Sequence, residues 1–172
     1  MIIKELKDED FVNYKKPSMF VAFPTCTWKC ERECGMRVCQ NSALATSPDI
    51  SVDIMTLVDR YCNNPITKAV VIGGLEPFDR VHDLITLVAA IREKTNDDIV
   101  IYTGYTKDEI KEMKYTVHYS WGKQDYSYFG CLAKHSNIII KYGRFRPNQQ
   151  PHYDEVLGVK LVSDNQYAER IS

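Results

Sequence analysis

No sign of charge is in excess in this sequence. Its 22 lysines and arginines face 23 aspartates and glutamates, a formal net charge of −1. A generic polyanion binder needs a clear basic surplus to neutralise phosphates, so nucleic acid is not an expected partner. Long apolar runs are missing as well. The opening Met-Ile-Ile-Lys-Glu-Leu-Lys-Asp holds no hydrophobic core of a signal segment, and no later stretch approaches the ~18 apolar residues of a membrane span. The expected setting is the reducing cytoplasm, with no membrane partner. Internal repeats, low-complexity tracts and Gly/Ser/Pro linkers are also lacking, so residues 1–172 read as one domain, with 1–18 as a lead-in. At 44% hydrophobic and 26% charged residues, a chain of this length buries a core without covalent staples.

What the sequence does have is six cysteines. Cys62 and Cys131 are isolated and read as small buried hydrophobes. Cys26, Cys30, Cys34 and Cys39 crowd into one short segment, residues 25–41. In a reducing compartment such a cluster points to metal or redox chemistry rather than to disulfides. Thiolates are soft ligands for zinc, copper(I) or iron–sulfur clusters. Structural zinc usually takes two close pairs of ligands set far apart in sequence, whereas these four share one loop with gaps of three, three and four residues. Local spacing alone leaves an iron–sulfur cluster, zinc and a free redox thiol set equally open.

The surrounding pattern alternates strands and helices. Met19-Phe20-Val21-Ala22-Phe23, Ala69-Val70-Val71-Ile72, Ile99-Val100-Ile101-Tyr102 and Ile138-Ile139-Ile140 are short apolar runs of the kind buried inside a parallel sheet. Residues 156–162 suggest a last strand. One helix is expected after a cap at Asp49 or Ser51, with Ile54, Leu57, Val58 and Tyr61 on one face and Asn63-Asn64-Pro65 ending it, and others over 81–94 and 107–114. Residues 115–136 show no sustained period. This alternation implies an α/β layer with a mostly parallel sheet, whose ligands gather at the carboxyl ends of the strands. The cysteine loop, Gly73-Gly74 and Thr103-Gly104 all fall at that edge.

Gly73-Gly74-Leu75-Glu76-Pro77, closing a buried strand, presents backbone carbonyls beside an acid, an acceptor set for an ammonium group; taken alone, a tight turn is the favoured reading. Coming after a cysteine cluster that follows the first strand, it resembles the radical S-adenosylmethionine (radical SAM) superfamily. Three further stretches resemble the activating component of anaerobic ribonucleotide reductase, a glycyl-radical enzyme activase. They are Cys39-Gln40-Asn41, Tyr102-Thr103-Gly104-Tyr105-Thr106, and Tyr142-Gly143-Arg144-Phe145 with the later Ser163-Asp164-Asn165-Gln166 and Arg170-Ile171. The ordered set runs from Phe20 to the C-terminus. Two departures stand out. The family's cysteines are spaced by three residues and then two, so residues 31–38 are an insertion that carries Cys34 if Cys39 is the third ligand. Leu75 also interrupts the Gly-Gly-Glu-Pro motif.

The resemblance implies an incomplete, TIM-like β/α barrel with a mostly parallel sheet. It implies a [4Fe–4S] cluster on Cys26, Cys30 and Cys39, with Cys34 as the alternative third ligand. S-adenosylmethionine would bind the open iron, its amino group near Gly73, Gly74 and Glu76, and its carboxylate and ribose near Thr103 and Tyr105 or near Ser163 and Asn165. The implied reaction cleaves S-adenosylmethionine to a 5′-deoxyadenosyl radical, which makes a glycyl radical on a partner, anaerobic ribonucleotide reductase first among them. Flavodoxin or ferredoxin would be the low-potential electron donor. Another radical SAM maturase and a non-enzymatic Cys-rich cluster or zinc module are the competing readings. Trp28 would shield the cluster or pack its loop; the aromatics of 115–129 would form a docking surface or a core seam. Lys141, Arg144 and Arg146 would form a solvated edge or receive an acidic partner, and the four histidines are given no role.

Overall fold

The computed structural model describes residues 1–172. The four apolar runs become its central strands, and polar segments with no strand-like pattern supply both edges. In chain order the elements begin with β1 (Ile2–Ile3), β2 (Glu5–Asp10) and β3 (Ser18–Phe23), followed by the short helices α1 (Lys29–Cys34) and α2 (Ser42–Thr46). Then come β4 (Ile50–Ser51), α3 (Ile54–Cys62), β5 (Ala69–Gly74), a 3-10 turn at Pro77–Arg80, α4 (Val81–Arg92), β6 (Asp98–Tyr102) and α5 (Lys107–Glu112). The hairpin β7 (Lys114–Tyr119) and β8 (Gly122–Ser127), α6 (Tyr128–Ala133), β9 (Ile138–Tyr142), the hairpin β10 (His152–Asp154) and β11 (Val159–Leu161), and β12 (Tyr167–Arg170) complete the chain.

Six strands form one open sheet in the order β12-β9-β6-β5-β3-β2. The inner four run parallel, with Val21 opposite Ile72, Ile72 opposite Ile101 and Ile101 opposite Ile140. Their carboxyl ends therefore share one edge. The outer two, β2 and β12, pair antiparallel with β3 and β9. The sheet is mixed and does not close into a barrel.

Every residue of β5 and β9 is buried, because both sheet faces are covered. On one face Leu57, Val58 and Tyr61 of α3, Leu84, Leu87, Val88 and Ile91 of α4, Ile110 of α5 and Leu132 of α6 pack against Val21, Ile72, Ile101 and Ile140. On the other, Tyr14 from the turn after β2 and Leu157 and Leu161 from the β10–β11 hairpin cover Val71, Val100 and Ile139. No helix is long and apolar enough to cross a membrane.

Several expectations need correction. The lead-in contains a sheet strand: β2, Glu-Leu-Lys-Asp-Glu-Asp, carries charge because an edge strand turns part of its length to solvent. The last strand of the sheet is not 156–162, which forms only β11 of a separate hairpin, but the polar β12. Helix α3 is capped by Asp53, whose side chain accepts from the Thr56 N–H, rather than by Asp49 or Ser51. Cys62 is exposed, not packed. The aromatics Tyr115, Tyr126 and Tyr128 stack on one another along the β7–β8 hairpin, outside both cores, and Trp121 at its tip is 81% exposed while stacking on Tyr119.

Asp98, at the start of β6, ties the edges to the centre. Its carboxylate accepts from the Tyr14 hydroxyl (2.9 Å), Lys16 Nζ (2.5 Å) and Arg170 Nη2 (2.8 Å). Burial alone would raise its pKa, but these three donors outweigh it and hold the carboxyl below the ordinary aspartate value. Asp98→Ala leaves the buried Tyr14 hydroxyl without its acceptor and should cost about 2–3 kcal/mol in urea unfolding. A carboxyl depressed in the folded state stabilises above its unfolded pKa, so the wild-type advantage should fade as pH falls below ~4 and toward the folded value. An advantage unchanged at low pH would refute the assignment.

Candidate functional site

The cysteine segment is shaped by two left-handed residues. Trp28 (φ 57°) turns the chain into α1, and Gly35 (φ 68°) ends that helix and reverses it. A positive φ at the end of a helix suits glycine, which has no Cβ to clash. The insertion 31–38 is thus mostly one helical turn and its cap. It leads the chain out through Cys34 and back to Cys39.

This loop is pinned at several points. The Asn41 side-chain amide donates to the Gly74 carbonyl at 2.7 Å, locking the end of the cysteine segment to the end of β5. The Thr27 N–H donates to Asp79, which also accepts from the Tyr105 hydroxyl at 2.6 Å. From α1 and its start, Lys29 reaches Glu109 (3.1 Å) and Glu33 reaches Arg144 (3.3 Å), while Arg144 also pairs with Glu109 at 2.6 Å. Burial would raise the Glu109 pKa, but Arg144, the Thr106 N–H and Lys29 hold it at about 2. Arg144 is 7% exposed. It is a buried brace rather than part of a solvated edge.

Between this loop, the strand ends and the β10–β11 hairpin lies a cavity of about 560 Å³, within the range of small-molecule sites. Cys26, Cys30 and Cys39 line it together with Gly73, Gly74, Glu76, Thr103 and Gly104. Cys34 does not; it lines, with Cys30 and Glu33, a second hollow of about 350 Å³ between α1 and residues 144–149. Of the other residues singled out from the sequence, Tyr105 lies outside the main cavity, its hydroxyl committed to Asp79. Ser163 is fully buried, its hydroxyl exchanging hydrogen bonds with the Arg146 backbone, and the Asn165 amide donates to the Arg144 carbonyl. Neither lines the cavity. Gln166 does, and so does Lys141, which the sequence alone left either at a solvated edge or as a receiver of an acidic partner. What marked Lys141 was visible: it is the one charged residue in a strand of isoleucines.

Glu76 organises the floor. It is 5% exposed. Its Oε1 accepts from Thr103 Oγ1 (2.8 Å) and the Phe78 N–H (3.1 Å), and its Oε2 from the Gly104 N–H (2.8 Å). Burial raises its pKa to about 7 against the pull of these three donors. Leu75 does not displace the acid from the strand end; the turn it opens carries Glu76 across to β6.

The glycines shape the same floor. A Cβ on Gly73 would stand 3.2 Å from the Phe20 ring and 3.4 Å from Tyr102 Cβ, in the cavity wall itself. Gly74 has φ 87°, and a Cβ there would meet Ala22 Cα at 2.7 Å and Phe23 N at 2.8 Å. Only glycine lets β5 run this close to β3.

The donor set fits an iron–sulfur cluster. Three cysteine thiols face one partly enclosed space, and the Trp28 N–H points at Cys26 Sγ (3.2 Å), the kind of contact that tunes cluster thiolates. No three His, Cys, Asp or Glu side chains are gathered closely enough to hold a single metal ion, so the thiols would have to draw together around any bound group. Burial pushes the Cys26 thiol up to about 12 and those of Cys30 and Cys39 upward too. Loading metal therefore means displacing protons.

A thiol-lined cavity at the carboxyl edge of a parallel sheet defines an iron–sulfur protein of the α/β class. A family model for the 4Fe-4S single cluster domain matches residues 17–150, most of the chain, and the protein belongs to that family. No curated protein and no solved structure matches it.

Gly74→Ala should lower stability by about 3 kcal/mol, combining a left-handed φ with a backbone clash. Gly130→Ala is the control: its Cβ would meet only Ser127, at 3.6 Å, and alanine is the better helix former. Comparable urea midpoints for the two variants would contradict the close approach of β5 to β3.

Proposed function

We propose that the protein is a radical SAM activating enzyme that generates a glycyl radical on a partner, anaerobic ribonucleotide reductase being the first expected, in the cytoplasm. The observation that supports this reading is the sharing of one cavity by Cys26, Cys30 and Cys39 with Gly73, Gly74, Glu76 and Thr103, at the ends of parallel strands. Cys26, Cys30 and Cys39 would hold the cluster, with Cys34 turned away. Once reduced by a low-potential donor such as flavodoxin or ferredoxin, a [4Fe–4S] cluster supplies the one electron that breaks the sulfur–C5′ bond of S-adenosylmethionine. With the cluster held by Cys26, Cys30 and Cys39, that cleavage would give methionine and a 5′-deoxyadenosyl radical able to take one hydrogen atom from a glycine of the partner.

The chain's own task is orientation and shielding. Glu76, fixed by three donors, offers a carboxylate to the amino group of the methionine moiety, and Gly73 and Gly74 leave room beside it. Thr103 holds Glu76 rather than the ligand. Asn41 keeps Cys39 and the end of β5 in a fixed relation. On this reading the open sheet is an incomplete barrel, and its unclosed side admits the partner's loop.

Anaerobic reconstitution with iron and sulfide, reduction and addition of S-adenosylmethionine should yield 5′-deoxyadenosine; none from a fully loaded protein would overturn the proposal. Cys39→Ala should lose the cluster absorbance and product formation to background, while Cys34→Ala keeps both. The reverse result would transfer the third ligand to Cys34. A glycyl-radical resonance on adding a candidate reductase separates an activase from another radical SAM maturase.

A further inference from the structure

Lys141 is a buried cation with no counter-ion. It sits in β9 after Ile138, Ile139 and Ile140 and is 6% exposed. Its register partner on β6 is Tyr102, and its side chain lies on the sheet face that forms the cavity wall. Its Nζ donates to the Gly143 carbonyl at 2.9 Å, and no carboxylate stands within ion-pair distance. Arg144, three residues along and as deeply buried, is neutralised by Glu109 and Glu33. A buried ammonium that is not paired carries a large desolvation cost. A hydrogen bond to one carbonyl does not require a charge.

The opposite charge faces the same cavity. Glu76, in the turn just past β5, is bonded to the end of β6, and Lys141 lies near the end of β9, the strand on the other side of β6. They do not form an ion pair, yet both line the cavity, and Glu76 is near enough to favour the charged form of Lys141. A separated negative and positive group, held on two strand ends around one cavity, complements a zwitterion. The head of an α-amino acid is such a group. Burial lowers the Lys141 pKa to about 8, which leaves it mainly charged at neutral pH.

We propose that Lys141 binds the carboxylate of the methionine moiety of S-adenosylmethionine, opposite Glu76 at the amino group. This rests on the function proposed above. It also replaces the groups that the sequence suggested for the carboxylate, since Thr103, Tyr105, Ser163 and Asn165 are each committed to another partner. The other basic residues lining the cavity are placed differently: Arg144 is already paired, Lys7 is exposed beside Glu5, and Lys160 is exposed on β11, so Lys141 alone is both buried and without a carboxylate partner.

The test compares S-adenosylmethionine with its decarboxylated analogue, measured by equilibrium binding to the cluster-reconstituted protein. The wild type should prefer the carboxylate-bearing ligand by roughly 10- to 100-fold, the range for a hydrogen bond to a charged group. Lys141→Met should lower that preference by tenfold or more, leaving only the part that the cluster itself supplies, and Lys141→Arg should restore some of the loss. The methionine variant should fold at least as well as the wild type, having shed an unpaired buried charge; if it does not fold, Lys141→Gln makes the same comparison without the charge. Undiminished discrimination in the uncharged variant, or no discrimination in the wild type, would overturn the assignment while leaving S-adenosylmethionine as the ligand. A fully loaded wild type that binds neither compound would overturn the proposed function and this assignment together.

Discussion

The carboxylate of Glu76 is the joint on which the cavity edge depends. Parallel strands end in unsatisfied backbone groups, and a buried end must find partners for them. Glu76 satisfies the Gly104 and Phe78 N–H groups and the Thr103 hydroxyl at once, so the ends of β5 and β6 and the start of the 3-10 turn are fixed by one side chain. Its own backbone N–H donates to the Thr25 carbonyl at 2.8 Å, which adds the exit of β3. Because all its side-chain contacts come from donors, the ionised form suits its surroundings even though burial opposes it. The cavity floor thus holds an acid that burial and three donors together leave titrating at about 7.

The cysteine loop depends on that edge in turn. Its helix α1 buries no residue and its second helix α2 buries none, so hydrophobic packing contributes little to its placement. Polar and ionic ties do the holding: Asn41 to Gly74, Thr27 to Asp79, Lys29 and Glu33 to the Glu109–Arg144 pair. Such ties are directional and few, and they let a loop with an eight-residue excursion still return Cys39 to the wall that Cys26 and Cys30 occupy. A loop fixed this way can adjust to a bound group more readily than one locked into a core.

How much of this could be read from the residues follows from what each signal depends on. Burial on both faces demands uninterrupted apolar runs, so the four parallel strands and the edge where their ends meet were legible, and with them the grouping of Cys26, Cys30, Gly73, Gly74, Glu76 and Thr103. Edge strands need only half a face of apolar contact; hence β2 and β12, rich in charge, were not. The β7–β8 hairpin escaped because its aromatics stack on each other rather than on the core, leaving no period to detect. Ser163 and Asn165 resembled ligand-binding residues by type, but a short polar side chain serves a turn or a ligand equally well, and here it serves the turn. Lys141 differs in the opposite sense: a lysine is ordinarily solvated, and its place straight after three isoleucines was the signal that this one is not.

The two sheet faces are covered by different means, and that difference bears on the wall of the cavity. Four helices close one face over the larger core. The other is covered by the turn holding Tyr14 and by a three-residue-stranded hairpin, β10–β11, which Asp154 anchors to β12 through the Ala168 N–H. The cavity opens on this second side, where Val12 and Lys160 reach its lining from the turn and the hairpin. Elements held by few contacts shift at lower cost than packed helices. The thiols, Glu76 and Lys141 share the cavity with residues of that turn and hairpin rather than with those four helices, so the wall of the site is built from the more loosely held side of the domain.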